Sequence, residues 1–167
     1  MSCSITRQDV SLVKSSWSLV STNAERTGIE LLRLFFKRHP DYLQLFGEFA
    51  DVNVDQIEAD RRVARHAIRI VKAIDTLVNN LDDEQPEKSN QLLGPLRSLV
   101  DSHVKRRSIG YDKFSNLGKI LVQYIVSQQP TNAITDVKLI EQSWNKFYTL
   151  ILDVVAGAEE QMRQQNC

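Results

Sequence analysis

The sequence predicts an all-α domain, and three observations carry that expectation. Apolar residues recur at three- and four-residue steps through the long stretches between breaks, the pattern of one buried helical face. Gly (6) and Pro (4) are sparse in 167 residues, which suits a few long helices better than a many-turned sheet. The breaks themselves are polar clusters or Pro-containing corners of the kind that cap or stop helices. This length holds one domain with a full core and is too short for two comfortable ones. With no repeat and no linker, residues 1–167 read as a single domain.

Thr6-Arg7-Gln8-Asp9 has the Ser/Thr-x-x-acid form of a capping box and opens a helix whose inner face is Val10, Val13, Trp17 and Val20. A polar corner at Ser21-Thr22-Asn23 precedes a second helix with Ile29, Leu32, Phe35 and Phe36. It stops near His39, because a residue before proline is pushed out of helical angles. Pro40 suits the first turn of a short helix running through Tyr42 and Leu45 to Phe46. Residues 50–55 read as a loop, and the longest apolar pattern then runs from about Gln56 to Leu81, through Val63, Ala67, Ile70, Ile74, Leu77 and Val78. His66 lies one turn ahead of Ile70 on the same side of that helix.

Residues 82–90 form a charged, turn-rich connection. Leu92, Leu96, Leu99 and His103 follow as a stripe at steps of four, three and four, its last apolar place taken by an imidazole. Two long helices complete the chain. The first bears Phe114, Leu117, Leu121, Tyr124 and Ile125 and is broken by Pro130-Thr131-Asn132; the second bears Val137, Ile140, Trp144, Phe147, Ile151 and Val155. The polar tail from Glu159 onward is expected to fray.

Composition excludes several classes of function. The 21 basic and 21 acidic side chains cancel, and no basic stripe suggests a nucleic-acid partner or an anionic membrane surface. No apolar run approaches the roughly 18–20 residues that span a bilayer, and the first residues lack the charged-then-apolar order of a signal peptide. Cys3 and Cys167 are the only cysteines; a cysteine metal site is excluded by their spacing, and reduced thiols in a cytoplasmic protein are expected.

The histidines are the most informative residues. The chain has three, and two of them, His66 and His103, fall on the apolar stripes of different helices joined by a charged connection. A lone His on such a stripe is usually an ordinary buried or boundary residue. Two facing one apolar cleft suit the two faces of a flat iron macrocycle, since neutral imidazole is the commonest protein metal ligand. The Leu99 carbonyl, one turn before His103, or the neighbouring Ser102 hydroxyl would accept the Nδ1–H and leave Nε2 for metal. The same bond would also satisfy a structural histidine.

Trp17, Pro40 followed six residues later by Phe46, His66-Ala67 opening an apolar helix, Leu99-x-x-Ser102-His103, the step of six from His103 to Ile109, and Trp144 occur in order. Over roughly residues 6–158 this set resembles a globin of the myoglobin and neuroglobin kind. The resemblance implies a globin fold, seven or eight helices in a three-over-three sandwich around haem b (iron protoporphyrin IX). It makes His103 the proximal iron ligand and His66 the distal histidine. Phe46 would stack on the haem, Leu32 and Ile70 would wall the distal pocket, and Phe49 would close its edge. Leu99, Phe114 and Leu117 would line the proximal side. Arg69, and Arg106 or Arg107, would pair with the haem propionates or else remain solvated surface charges. The stretch between the two histidines is longer than in those relatives, and the excess falls in residues 82–91, a surface corner.

The implied function is reversible binding of O2, with CO and NO as further gases, for storage, delivery or transport. The alternative is a neuroglobin-like protein in which His66 itself binds the iron, with a redox, nitric-oxide or sensing role; an incoming gas must then displace it. An enzyme is not expected, because the pocket offers no second acid–base group and the chain has no flavin motif. A partner reductase leaves no mark in the sequence, and assembly with further copies of the chain is left open.

Overall fold

The computed structural model describes residues 4–82, 84–86, 94–130 and 134–165, without the side chains of residues 106, 107, 134 and 135. The helices are α1 (Arg7–Val20), α2 (Ala24–Arg38), α3 (Arg61–Asn79), α4 (Gly94–Arg107), α5 (Tyr111–Ser127) and α6 (Ile134–Gln165). Two 3-10 helices, Pro40–Leu45 and Val54–Ala59, lie between α2 and α3. Among the described residues there is no strand. α1 packs on α6 and α3, α2 on α3 and α5, and α6 also on α4 and α5. The six α-helices thus form two layers of three, α1, α3 and α4 over α2, α5 and α6. None of the helices among the described residues is long and apolar enough to cross a membrane.

The expected capping box opens α1. Thr6 Oγ1 accepts from the Asp9 amide at 3.2 Å, and Asp9 Oδ2 accepts from the Thr6 amide at 2.8 Å. Asp9 is buried and serves a second purpose, fastening α1 to α6. Ser143 Oγ donates to Asp9 Oδ1 at 2.8 Å, and Lys146 Nζ lies 2.9 Å from Oδ2. Burial pushes its pKa up, but the hydrogen bonds from Lys146, Thr6 and Ser143 outweigh that and hold it at about 2, against an ordinary 3.8. A carboxyl with a depressed folded-state pKa stabilises the fold above its unfolded value and loses that contribution as pH falls through the folded one. Asp9 is therefore expected to contribute about 2 kcal/mol at neutral pH, lost between about pH 4 and pH 2. Urea unfolding of Asp9→Asn across the acid range checks this: the variant should be weaker at neutral pH and titrate less steeply, and an unchanged slope would contradict it.

Close approach of helices depends on two glycines. Gly28 on α2 faces α3, where an added Cβ would stand 2.7 Å from Ala67 Cβ and overlap the Ala67 backbone. Gly118 on α5 makes room for the Tyr148 ring, whose hydroxyl donates to the Phe114 carbonyl at 2.9 Å. Gly28→Ala is expected to cost about 1–3 kcal/mol by overpacking. It should also displace His66, which precedes Ala67. Thermal unfolding and His66 chemical shifts measure the two effects, and a variant with neither would show that α2 and α3 have slack. The core between layers holds Trp17 and Trp144 with ring centroids 5.8 Å apart. Their indole N–H groups donate to Asp75 Oδ1 at 3.0 Å and Ser16 Oγ at 2.9 Å, so neither polar group is buried unpaired.

Three expectations need correction. α3 starts at Arg61, not near Gln56: Asp60 caps it through the Arg62 and Val63 amides, and the preceding turn is 3-10, with Gln56 at non-helical angles (φ −120, ψ 22). The polar tail does not fray at Glu159. α6 continues to Gln165 with Ala158 buried, and Glu159 Oε1 accepts from the Tyr111 amide at the start of α5 at 2.9 Å. The buried stripe of α4 is Leu96, Val100 and Val104, whereas Leu99 is 39 % exposed. Leu92, Cys3, Cys167 and most of the 82–91 connection lie outside the described residues.

Candidate functional site

Residues of α2, α3, α4, α5 and α6, with the segment 45–49, line a cavity of about 290 Å³. Its lining is mostly aliphatic and aromatic. His66 reaches it from α3 and His103 from α4, so the two imidazoles singled out by the sequence border one space.

His103 is half-buried, with its ring edge-on to Phe114 at 5.8 Å. Its Nδ1 lies 2.8 Å from the Leu99 carbonyl oxygen. A carbonyl only accepts, so Nδ1 carries the proton and donates it, and Nε2 keeps a lone pair. Of the two acceptors the sequence offered, the carbonyl is the one used. A backbone carbonyl at Nδ1 fixes the tautomer in which Nε2 could serve as a metal ligand.

His66 is half-buried and wedged between two rings. Phe46 meets it edge-on at 5.1 Å and 89°, and Phe49 at 5.6 Å and 61°. Phe46 and Phe49 stack at 5.3 Å, and Phe36 of α2 backs both, at 5.0 and 6.4 Å. The imidazole is thereby set by an aromatic cluster whose members come from α2 and the loop after Pro40.

Phe46, Phe49, His66, Arg69, Ile70, Leu99, His103, Phe114 and Leu117 all line the cavity. Leu32 does not. It is fully buried, but Leu31 and Phe35, four apart on α2, are the residues that face the space. Neighbouring helical positions differ by about 100°, and α2 is apolar on both sides here, so periodicity could not choose between them. The Arg107 side chain lies outside the described residues. Lys113, missed by the sequence reading, lines the cavity too and sits 5.7 Å from the centroid of the Tyr42 ring. Its signal was its place just before Phe114. Ser102, Ile109, Leu121, Tyr148, Ile151 and Leu96 are among the other residues on the lining. His39 is half-buried and stacked on Tyr42 at 4.8 Å and 11°. Among the described residues no cluster of three or more His, Cys, Asp or Glu could hold a metal ion.

The family model for globins matches residues 29–155. The chain belongs to the globin family. Globin CTT-Z of Chironomus thummi thummi is 31 % identical over 74 % of this globin and 71 % of its own length. Cytoglobin-2 of Oryzias latipes is 26 % identical over 90 % of this globin and 80 % of its own length. The haemoglobin of the botfly Gasterophilus intestinalis superposes with a TM-score of 0.76 at 20 % identity, covering 91 % of this globin and 97 % of that chain. That last likeness establishes the fold. Membership of the family carries haem-based binding of diatomic gases as its general function.

Proposed function

We propose that this globin binds O2 reversibly at haem b seated in the cavity between His66 and His103, as a cytoplasmic carrier serving oxygen storage, delivery or transport. One observation carries the reading: an apolar cavity lined by two imidazoles from different helices, one of which has its Nδ1 proton committed to a backbone carbonyl. Those residues fit haem. The lining matches a flat apolar ring, and the cationic Arg69 and Lys113 on the same lining suit its two carboxylates. When bound, haem supplies a ferrous iron that takes up and releases a diatomic gas.

The rest is the work of this chain. His103 would hold the iron through Nε2, and the bond from Nδ1 to Leu99 would keep the ring in the tautomer that this requires. Ile70, Phe114 and Leu117 exclude water, which slows loss of an electron from the site. His66 on the other helix would offer its N–H to the incoming gas. Such a bond favours O2, which becomes partly negative, over the less polar CO by about 1–3 kcal/mol in a low-dielectric cavity. Phe46 and Phe49 restrain the ring that does so. Cycling the dithionite-reduced protein between oxygenated and deoxygenated buffer tests the proposal. The visible spectrum should change and return over repeated cycles; complete oxidation within the first cycle would contradict it.

A further inference from the structure

We propose that Arg62 is a positioning residue for the distal histidine, clamping the loop that carries Phe46 and Phe49 onto the first turn of α3. This rests on the assignment of His66 to the gas side of the cavity. Arg62 lies one turn before His66. Its Nε and Nη2 hold the Asp60 carboxylate two-pronged, at 3.1 and 2.6 Å, and Asp60 is itself the cap of α3. The remaining Nη1 reaches back to the loop, donating to the Glu48 carbonyl at 2.8 Å and lying 3.1 Å from Asp51 Oδ1.

Glu48 sits between the two phenylalanines that wedge His66. The loop is wound tightly around it, with the Phe49 amide donating to the Phe46 carbonyl at 2.8 Å and the Val52 amide to the Phe49 carbonyl at 3.1 Å. One planar guanidinium therefore joins the helix that carries His66 to the segment that sets its ring. A lysine could reach one of these acceptors but could not fork across them. The Arg62 bond, against the opposing effect of burial, helps hold the Asp60 carboxyl at about 2, so the clamp stays ionised at ordinary pH.

Three variants of the haem-loaded protein test this: Arg62→Ala, Arg62→Lys and Asp51→Asn, the last of which leaves the α3 cap intact. Arg62→Ala should raise the CO association rate roughly threefold, the scale of a partly exposed charge cluster. It should also speed hydrogen exchange at the Phe49 and Val52 amides. Arg62→Lys and Asp51→Asn should move both readouts in the same direction by less. On a His66→Val background the effect of Arg62→Ala on CO association should vanish, which a general loosening of the fold would not produce. A wild-type association rate in haem-loaded Arg62→Ala, or an effect undiminished without His66, overturns the proposal. A wild-type chain that takes up no haem overturns the haem-site reading instead, and the amide exchange then still reads whether Arg62 holds the loop.

Discussion

Replacing His103 by Ala is expected to strip the protein of most of its haem. In the wild type this side chain would supply the iron ligand, and its Nδ1–H is already committed to the Leu99 carbonyl at 2.8 Å. Loss of an outer-shell partner alone typically costs roughly 10–100-fold in metal affinity, so loss of the ligand itself should exceed about 100-fold. Transfer of haem to an acceptor apoprotein measures it. Free imidazole, small enough to enter the vacated volume, should restore part of the retention and the spectrum. The fold should survive, because the buried face of α4 is Leu96, Val100 and Val104. Unchanged haem retention in the variant would overturn the proximal assignment.

His66→Leu is expected to have the second largest effect, and on O2 far more than on CO. Removing a donor worth about 1–3 kcal/mol should speed O2 release by roughly 5- to 150-fold, while CO release changes little. The ligand-free ferrous wild type should show the single broad visible band of an open site, and the variant should keep it. Two sharp bands in the wild type that collapse to one in His66→Leu would instead assign His66 as a second iron ligand and overturn the open-site reading. Equal acceleration of both gases would show that His66 acts by bulk and not by donating a proton.

Much of this was legible in the sequence because it rests on local signals. The Thr6–Asp9 box, the stop before Pro40 and the i−4 carbonyl beneath His103 need only neighbours along the chain, and the structure keeps each. Choices between adjacent residues were not legible. Leu31 and Leu32 are both buried, and only the packing of α2 against α3 and α5 decides which one meets the cavity. The start of α3 was hidden because apolar periodicity extends through Ile57, whereas the boundary is set by the Asp60 carboxylate and its two backbone donors. Glu159 looked like part of a frayed tail because its partner, the Tyr111 amide, lies 48 residues away. Nothing local shows what Lys113 or Arg62 touches either, because the cavity and the loop that they meet are assembled by tertiary structure.

Resonance Raman spectroscopy of the ferrous, ligand-free protein, with and without nitrogen-15 histidine, addresses the haem assignment most directly. The expected result is an iron–histidine stretching band that moves with the isotope in the wild type and disappears in His103→Ala. No such band in haem-replete protein, or its persistence in His103→Ala, would contradict a haem held by this histidine.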